Sequence, residues 1–106
     1  MNPMAYSIKY DESVTAYIRD YPWLSREGRV RLFANINADL RDHADLLRQE
    51  SSLRTAPDSL RFWYRLVMGD EQGDGRLRQF SFVVDDSAAA YGLLQVEYVD
   101  VIEARD

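Results

Sequence analysis

The segment LRFWYRLVMG, Leu60–Gly69, alternates two kinds of side chain, and this alternation constrains the fold more than any other feature of the sequence. Successive side chains of a β-strand point to opposite faces of the sheet. The residues of the apolar row, which we predict to be buried core, are Leu60, Phe62, Tyr64, Leu66 and Met68. The residues of the opposite face are Arg61, Trp63, Arg65 and Val67.

The segment before residue 50 predicts one strand and two helices. AYSIKY alternates and indicates a short strand with Tyr6, Ile8 and Tyr10 on one side. A first helix follows, capped by Asp11 or Ser13 and ended by Pro22, since the residue before proline disfavours helix. The stripe predicted to face the core of this helix is Val14, Tyr17, Ile18 and Tyr21. The second helix is predicted to begin after the N-cap Ser25 and to end near Arg48, with a stripe of Val30, Phe33, Ile36 or Asn37, Leu40, Ala44 and Leu47.

Two further strands are predicted after Leu60–Met68, namely Arg76–Val84 and Leu93–Ile102. In the last strand we predict Leu94, Val96, Tyr98 and Ile102 on one face, and Gln95 and Glu97 on the other. The fold class is therefore α+β, with a short N-terminal strand and an antiparallel helical hairpin packed on an antiparallel sheet of three to four strands. The length of 106 residues fits a single domain over 1–106.

Composition excludes several function classes. The net charge is −5, which argues against direct DNA binding, because such affinity rests largely on phosphate neutralisation. The one basic part is 51–69, with three arginines against Asp58 alone. There is no cysteine, and we find neither a membrane-spanning run nor a signal peptide at MNPMAYSIKY, so we expect a cytoplasmic protein without a membrane partner.

Three polar motifs of the sequence are candidates for chemistry. His43 is the only histidine, and no cysteine accompanies it, so we interpret it as a surface residue. GDEQGDG, with Asp70, Glu71 and Asp74, lacks the spacing of a calcium loop and is typical of a solvated hairpin loop. Asp85–Asp86 is typical of a turn rather than an acid–base pair. We therefore predict no metal and no cofactor.

The remaining candidate site is an arginine cluster around Trp63. Arg61 and Arg65 flank this tryptophan, and Arg76 and Arg78 follow on the next strand of the predicted hairpin. Guanidinium groups beside an exposed aromatic ring can bind phosphate and stack a base. The alternative is a solvated sheet face whose charges pair with nearby acids and protect a sheet edge.

The order of elements and the motif YRLV at Tyr64–Val67 resemble the RelE/ParE superfamily of toxins from bacterial toxin–antitoxin systems, and LSREGRVRLFANINADL looks like its second helix. The resemblance implies a cytoplasmic toxin-type domain that an antitoxin wraps. In its RelE branch, sheet arginines and a C-terminal arginine and tyrosine cleave messenger RNA. Arg65 matches the sheet arginine, and Arg61 is a second candidate. This chain ends in YVDVIEARD, without a tyrosine after Tyr98, so we predict a catalytically degenerate member.

Three functions remain open. In the first, the sheet face of a RelE/ParE-like domain binds an antitoxin-like protein or RNA, with Trp63, Arg76 and Arg78 as binding residues. In the second, a non-enzymatic homodimer buries its sheet face, for which the candidates are Trp63, Val67, Val83, Val99 and Val101. In the third, Arg65 and Arg61 are catalytic residues of an active mRNA endoribonuclease that uses no metal.

Overall fold

The computed structural model describes residues 6–50, 53–55, 59–69 and 76–105. The predicted order of elements and the α+β class are confirmed. The elements are β1 (Ser7–Tyr10), α1 (Glu12–Asp20), α2 (Arg26–Gln49), β2 (Arg61–Met68), β3 (Arg76–Asp85), a 3₁₀ turn (Ala89–Tyr91) and β4 (Leu93–Arg105). The GDEQGDG loop, with Asp70, Glu71 and Asp74, lies outside the described residues.

Side-chain caps fix where both helices begin. The carboxylate of Asp11 accepts a hydrogen bond from the backbone N–H of Ser13, and Ser25 Oγ accepts one from Gly28 N–H at 2.9 Å. Each cap satisfies an amide that has no partner within the helix. At the other end of α1, Tyr21 before Pro22 is extended (φ −69°, ψ 117°), as the proline rule requires.

The strands lie in the order β1-β4-β3-β2. β2 pairs with β3 and β3 pairs with β4 in antiparallel fashion, whereas β1 runs parallel to β4, so the sheet is mixed rather than wholly antiparallel. The chain reaches this arrangement because two helices separate β1 from the β2–β3–β4 meander, and a parallel neighbour needs such a long connection.

The core lies between the helices and one face of the sheet, which we call the inner face. Its fully buried residues include Val14, Ile18, Leu32, Ile36, Leu40, Phe62, Phe80, Phe82, Val84, Leu94 and Val96. Three core predictions were wrong. Tyr17 is 40% exposed, because the buried residues of α1 are Val14 and Ile18. Val30 is 65% exposed, because the buried stripe of α2 runs through Leu32 and Ile36 instead. Leu60 is 57% exposed, because it precedes β2 and does not share its pleat.

A β-bulge divides β4 into two halves, and the alternation of inward and outward side chains reverses between them. Val84 pairs with Val96 and Val83 pairs with Tyr98, so Glu97 is an extra residue. Before the bulge, Val96 faces inward; after it, Val99 faces inward and Tyr98 faces outward. The prediction that Tyr98 and Ile102 share a face with Leu94 and Val96 was therefore wrong. Val99 and Val101, which were candidates for the face of Trp63, instead pack against the core, whereas Val83 does share the face of Trp63.

Candidate functional site

The face of the sheet away from the helices, which we call the outer face, has four cross-strand rows. β2, β3 and β4 contribute one residue each to every row, in that order. The rows are Arg61–Asp85–Gln95, Trp63–Val83–Tyr98, Arg65–Ser81–Asp100 and Val67–Gln79–Ile102. A hydrogen bond between Gln79 Nε2 and Ser81 Oγ at 3.3 Å runs along β3 on this face.

An aromatic pair lies at the centre of the outer face. The rings of Trp63 and Tyr98 meet edge to face across Val83, with centroids 6.3 Å apart and planes at 85°. The Arg65 guanidinium carbon lies 5.5 Å from the centroid of the Trp63 ring. Such a cation–π contact fixes the arginine side chain over the indole while leaving its N–H groups as donors.

Large apolar side chains of the outer face are in contact with solvent. Tyr98 is 49% exposed, and Val67 and Ile102 are each 57% exposed. Both helices contribute their buried residues to the inner face, and none of those residues packs on the outer one. At the β4 edge, burial first and then the nearby Asp100 and Tyr98 raise the pKa of Tyr17 on α1. One face of a small sheet thus presents an aromatic row and an aliphatic row at its surface, with the polar row Arg65–Ser81–Asp100 between them.

Arg61, a predicted catalytic residue, is held by acids. Its Nε donates to Glu97 Oε2 at 2.7 Å, and its Nη2 lies 3.8 Å from Asp85 Oδ2. The hydrogen bond to Glu97, together with the two negative charges, raises the pKa of the Arg61 guanidinium. Glu97 is the bulge residue, so the bulge places a carboxylate where it neutralises Arg61.

The structure does not bring Arg76 and Arg78 together with Arg65. Both are alternate residues of β3 in the same series as Phe80 and Phe82, and they therefore lie on the inner face. The predicted arginine cluster is split by the sheet itself, because hairpin register brings residues close along the strands without deciding which face they share.

Arg78 and its neighbours form a separate group at the end of the core, which we call the Arg78 cluster. Arg78 is 1% exposed, its Nε donates to Glu103 Oε1 at 3.2 Å, and its guanidinium lies 5.4 Å from the Trp23 ring centroid. Tyr21 also donates to Glu103, at 2.6 Å, and Arg76 Nη1 lies 3.2 Å from the same carboxylate. These contacts, that from Tyr21 first, lower the pKa of Glu103.

In the same cluster, burial and the bond to Glu103 raise the pKa of Tyr21 to about 12. Its ring also packs edge to face on Phe80, with centroids 5.6 Å apart. A tyrosine held protonated and packed in this way ties α1 to β4. The Arg78 cluster therefore has the features of a structural ion-pair network rather than of a phosphate site.

The aspartate pair Asp85–Asp86 leads into the predicted turn, with Asp85 as the last residue of β3 and the turn itself at 87–88. Asp85 accepts a hydrogen bond from Ser87 N–H at 2.8 Å, and Gly92, with φ of 76°, ends the following 3₁₀ turn in the left-handed region. Asp86 is buried and accepts from Arg54 Nη1 at 3.0 Å, so it anchors residues 53–55 to the sheet.

Two further polar predictions concern ligands. His43 is exposed on α2. Within the described ranges, no three histidine, cysteine or acidic side chains are grouped so as to hold a metal ion.

Sequence reasoning missed Tyr98, Asp100 and Ile102 as members of the outer face. The sequence carries only a weak signal for them. Apolar residues continue at even positions through Tyr98 and Ile102, and apolar odd positions, Val99 and Val101, are added after Glu97, so the apolar pattern fits either facing of the strand after the bulge.

Comparisons with protein-family models, with curated proteins and with solved structures gave no significant match. Neither helix is both long and apolar enough to cross a membrane, within the part of the chain that the structure describes. What the outer face can do is therefore inferred from its own geometry and charge.

Proposed function

We propose that this chain is a non-catalytic protein-binding domain with RelE/ParE-like organisation, and that its outer face is the docking surface. The observation that carries the proposal is the outer face around Trp63, where Tyr98, Val67 and Ile102 are each about half exposed and to which neither helix contributes its buried residues.

Apolar patches of this kind are uncommon on small monomeric proteins unless they serve binding. Trp63 has the properties of an anchor, since tryptophan, tyrosine and arginine dominate the energetics of protein interfaces. The neutralised pair of Arg61 and Glu97 and the polar residues Arg65 and Asp100 surround the aromatic centre. An apolar centre with a polar surround is the common plan of a protein interface.

The likeness to RelE/ParE toxins is supported by the order of elements, in which a strand and two helices precede a three-stranded meander. It implies a partner laid across the sheet, as an antitoxin is. The lack of cysteine agrees with a cytoplasmic location, which we adopt with this proposal.

An RNA-cleaving function has less support. Of the arginines predicted for it, Arg61 is neutralised by acids, and Arg76 and Arg78 lie on the inner face. Arg65 is left as the one predicted cation on the outer face that has no ion-pair partner among the described residues. A single guanidinium does not supply both the charge stabilisation and the proton transfer that phosphodiester cleavage needs.

Site-specific photo-crosslinking tests the proposal. A benzophenone amino acid replaces Val67 in the outer face or, as a matched control, the similarly exposed Val30 on α2, and each variant is irradiated in the cells that express it. We expect Val67 to give a discrete adduct with a protein, this chain or another, and Val30 to give none of that mass.

Two results would contradict the proposed function. The absence of any adduct at Val67, with the protein folded and abundant, would show that the face is bare in the cell. An adduct that disappears on nuclease treatment rather than on proteolysis would indicate that RNA is the ligand. The outer-face arginines would then be candidates for RNA contacts.

A further inference from the structure

We propose, given the proposed function, that the occupant of the outer face is a second copy of this chain, packed sheet to sheet about a twofold axis that runs along β3. In this dimer Arg65 of each protomer pairs with Asp100 of the other. The inference rests on three of the four rows of the outer face, Trp63–Val83–Tyr98, Arg65–Ser81–Asp100 and Val67–Gln79–Ile102, each of which is complementary to itself about β3.

The symmetry follows from the pairing of strands. β2 and β4 both run antiparallel to β3, so they are parallel to each other and lie on either side of it, each about 4.8 Å away. A twofold axis along β3, between two facing sheets, places β2 of one protomer over β4 of the other at the same height. Isologous contact of this kind needs a surface that matches itself.

The charged row satisfies that requirement. Arg65 and Asp100 flank the small residue Ser81 in one row, separated by two strand spacings, or roughly 10 Å. Neither forms an ion pair with a described residue of its own chain; Arg65 lies over Trp63, and Asp100 accepts from Val101 N–H. The axis brings each guanidinium over the partner's Asp100, which gives two equivalent ion pairs from one row.

The two apolar rows match in the same way. Trp63 lies over the partner's Tyr98, with Val83 over Val83 at the axis, and Val67 lies over the partner's Ile102. Gln79 meets its own copy, and a carboxamide can both donate to and accept from another carboxamide. Aligned sheets pack about 10 Å apart with strand directions within about 30°, a spacing that side chains of these lengths fill.

The size of the face sets the expected affinity. The face is roughly 23 Å long, because it spans residues 61–67 at about 3.3 Å per residue, and roughly 14 Å wide, because it spans three strands at about 4.8 Å each. That is well below the roughly 800 Å² per partner of a standard interface, so we expect a reversible dimer with a dissociation constant in the micromolar range.

A charge-swap experiment in sedimentation equilibrium tests this dimer. The wild type, Arg65→Asp, Asp100→Arg and the double variant are compared from about 1 to about 500 µM. We expect each single charge reversal to raise the dissociation constant of the dimer by about a hundredfold, because the twofold axis creates two equivalent repulsive contacts. The double variant should recover most of the lost affinity. Arg41→Asp and Asp42→Arg, on exposed side chains of α2, are the controls and should leave the dissociation constant unchanged.

Thermal melts of each variant at low concentration check that folding is intact. A wild type that is monomeric throughout the range would overturn the dimer, as would a dimer insensitive to both reversals or a double variant that fails to recover. These failures differ from failure of the proposed function: a monomer that still gives a Val67 adduct with another protein retains the docking surface and loses only its self-association.

Discussion

The inner and outer faces of this sheet differ in what covers them rather than in how they are built. Phe82 and Val83 are neighbours on β3; Phe82 is fully buried and stacks on Tyr64, whereas Val83 lies beneath the Trp63–Tyr98 pair on the uncovered side. Both faces carry aromatic side chains at their centre. Apolar content alone therefore does not distinguish the face that folds the domain from the face that we propose to bind.

The two faces also use arginine differently. Arg78 on the inner face is surrounded by Glu103, Tyr21 and Trp23, so its charge is bound within the fold. Arg65 on the outer face is exposed and contacts the Trp63 ring. An arginine next to an aromatic ring is therefore evidence of binding only when no carboxylate of the same chain already forms an ion pair with it.

The largest change in the free energy of unfolding should come from a cavity made on the inner face. Phe82→Ala removes a fully buried ring between Tyr64 and Phe80, and we expect it to lower the free energy of unfolding by about 4 kcal/mol. The matched change Val83→Ala, one residue further, should cost less than about 1 kcal/mol in the monomer. Urea denaturation monitored by circular dichroism measures both. Equal costs would mean that the two faces are equally covered.

Arginine substitutions give the second contrast. Arg78→Met keeps an apolar stem in the core but takes a cation from Glu103 and from the Trp23 ring, so we expect a loss of about 2–3 kcal/mol. Arg65→Met should change the stability of the monomer by less than about 0.5 kcal/mol. Denaturation at a concentration below dimer formation provides the comparison. A large loss for Arg65→Met would give that residue a role in folding instead.

Much of the fold was predictable because local patterns decide it. The alternation of Tyr6, Ile8 and Tyr10 gave β1, and the caps Asp11 and Ser25 gave the starts of both helices. The parallel pairing of β1 with β4 was missed, because strand order depends on contacts between distant segments that no local pattern contains.

The site was only half predictable. Trp63 and Arg65 were placed on an open face by alternation alone. The bulge at Glu97 reversed the facing of the last strand, and the parity of β3 sent Arg76 and Arg78 to the inner face. One inserted residue exchanges every later side chain between faces, so an error of one position changes which residues make the site.

A smaller contrast concerns tyrosine hydroxyls. Tyr64 on the inner face donates to Asp39, and burial, with this bond second, raises the pKa of its phenol. Tyr64→Phe should cost about 1–2 kcal/mol, because the Asp39 carboxylate loses a charge-assisted donor. Tyr98→Phe, on the outer face, should leave monomer stability unchanged within error. Urea denaturation of both variants measures the two changes in the free energy of unfolding. An equal loss of stability in both variants would mean that the two hydroxyls contribute equally to folding.

The smallest expected effect is the pH dependence that Glu103 gives the Arg78 cluster. Its pKa is lowered in the fold from an ordinary value of 4.5, first by the hydrogen bond from Tyr21 and then by Arg78 and Arg76. A lowered carboxyl pKa adds stability above the unfolded value, and this is lost as pH falls through the folded one. Wild type should therefore exceed Glu103→Gln in stability at pH 6, and the difference should shrink as pH falls from about 5 to about 3. Glu50→Gln, on an exposed carboxylate after α2, provides the control and should show no such convergence. A difference for Glu103→Gln that stays constant with pH would mean that Tyr21, Arg76 and Arg78 bind this carboxylate no better than water does.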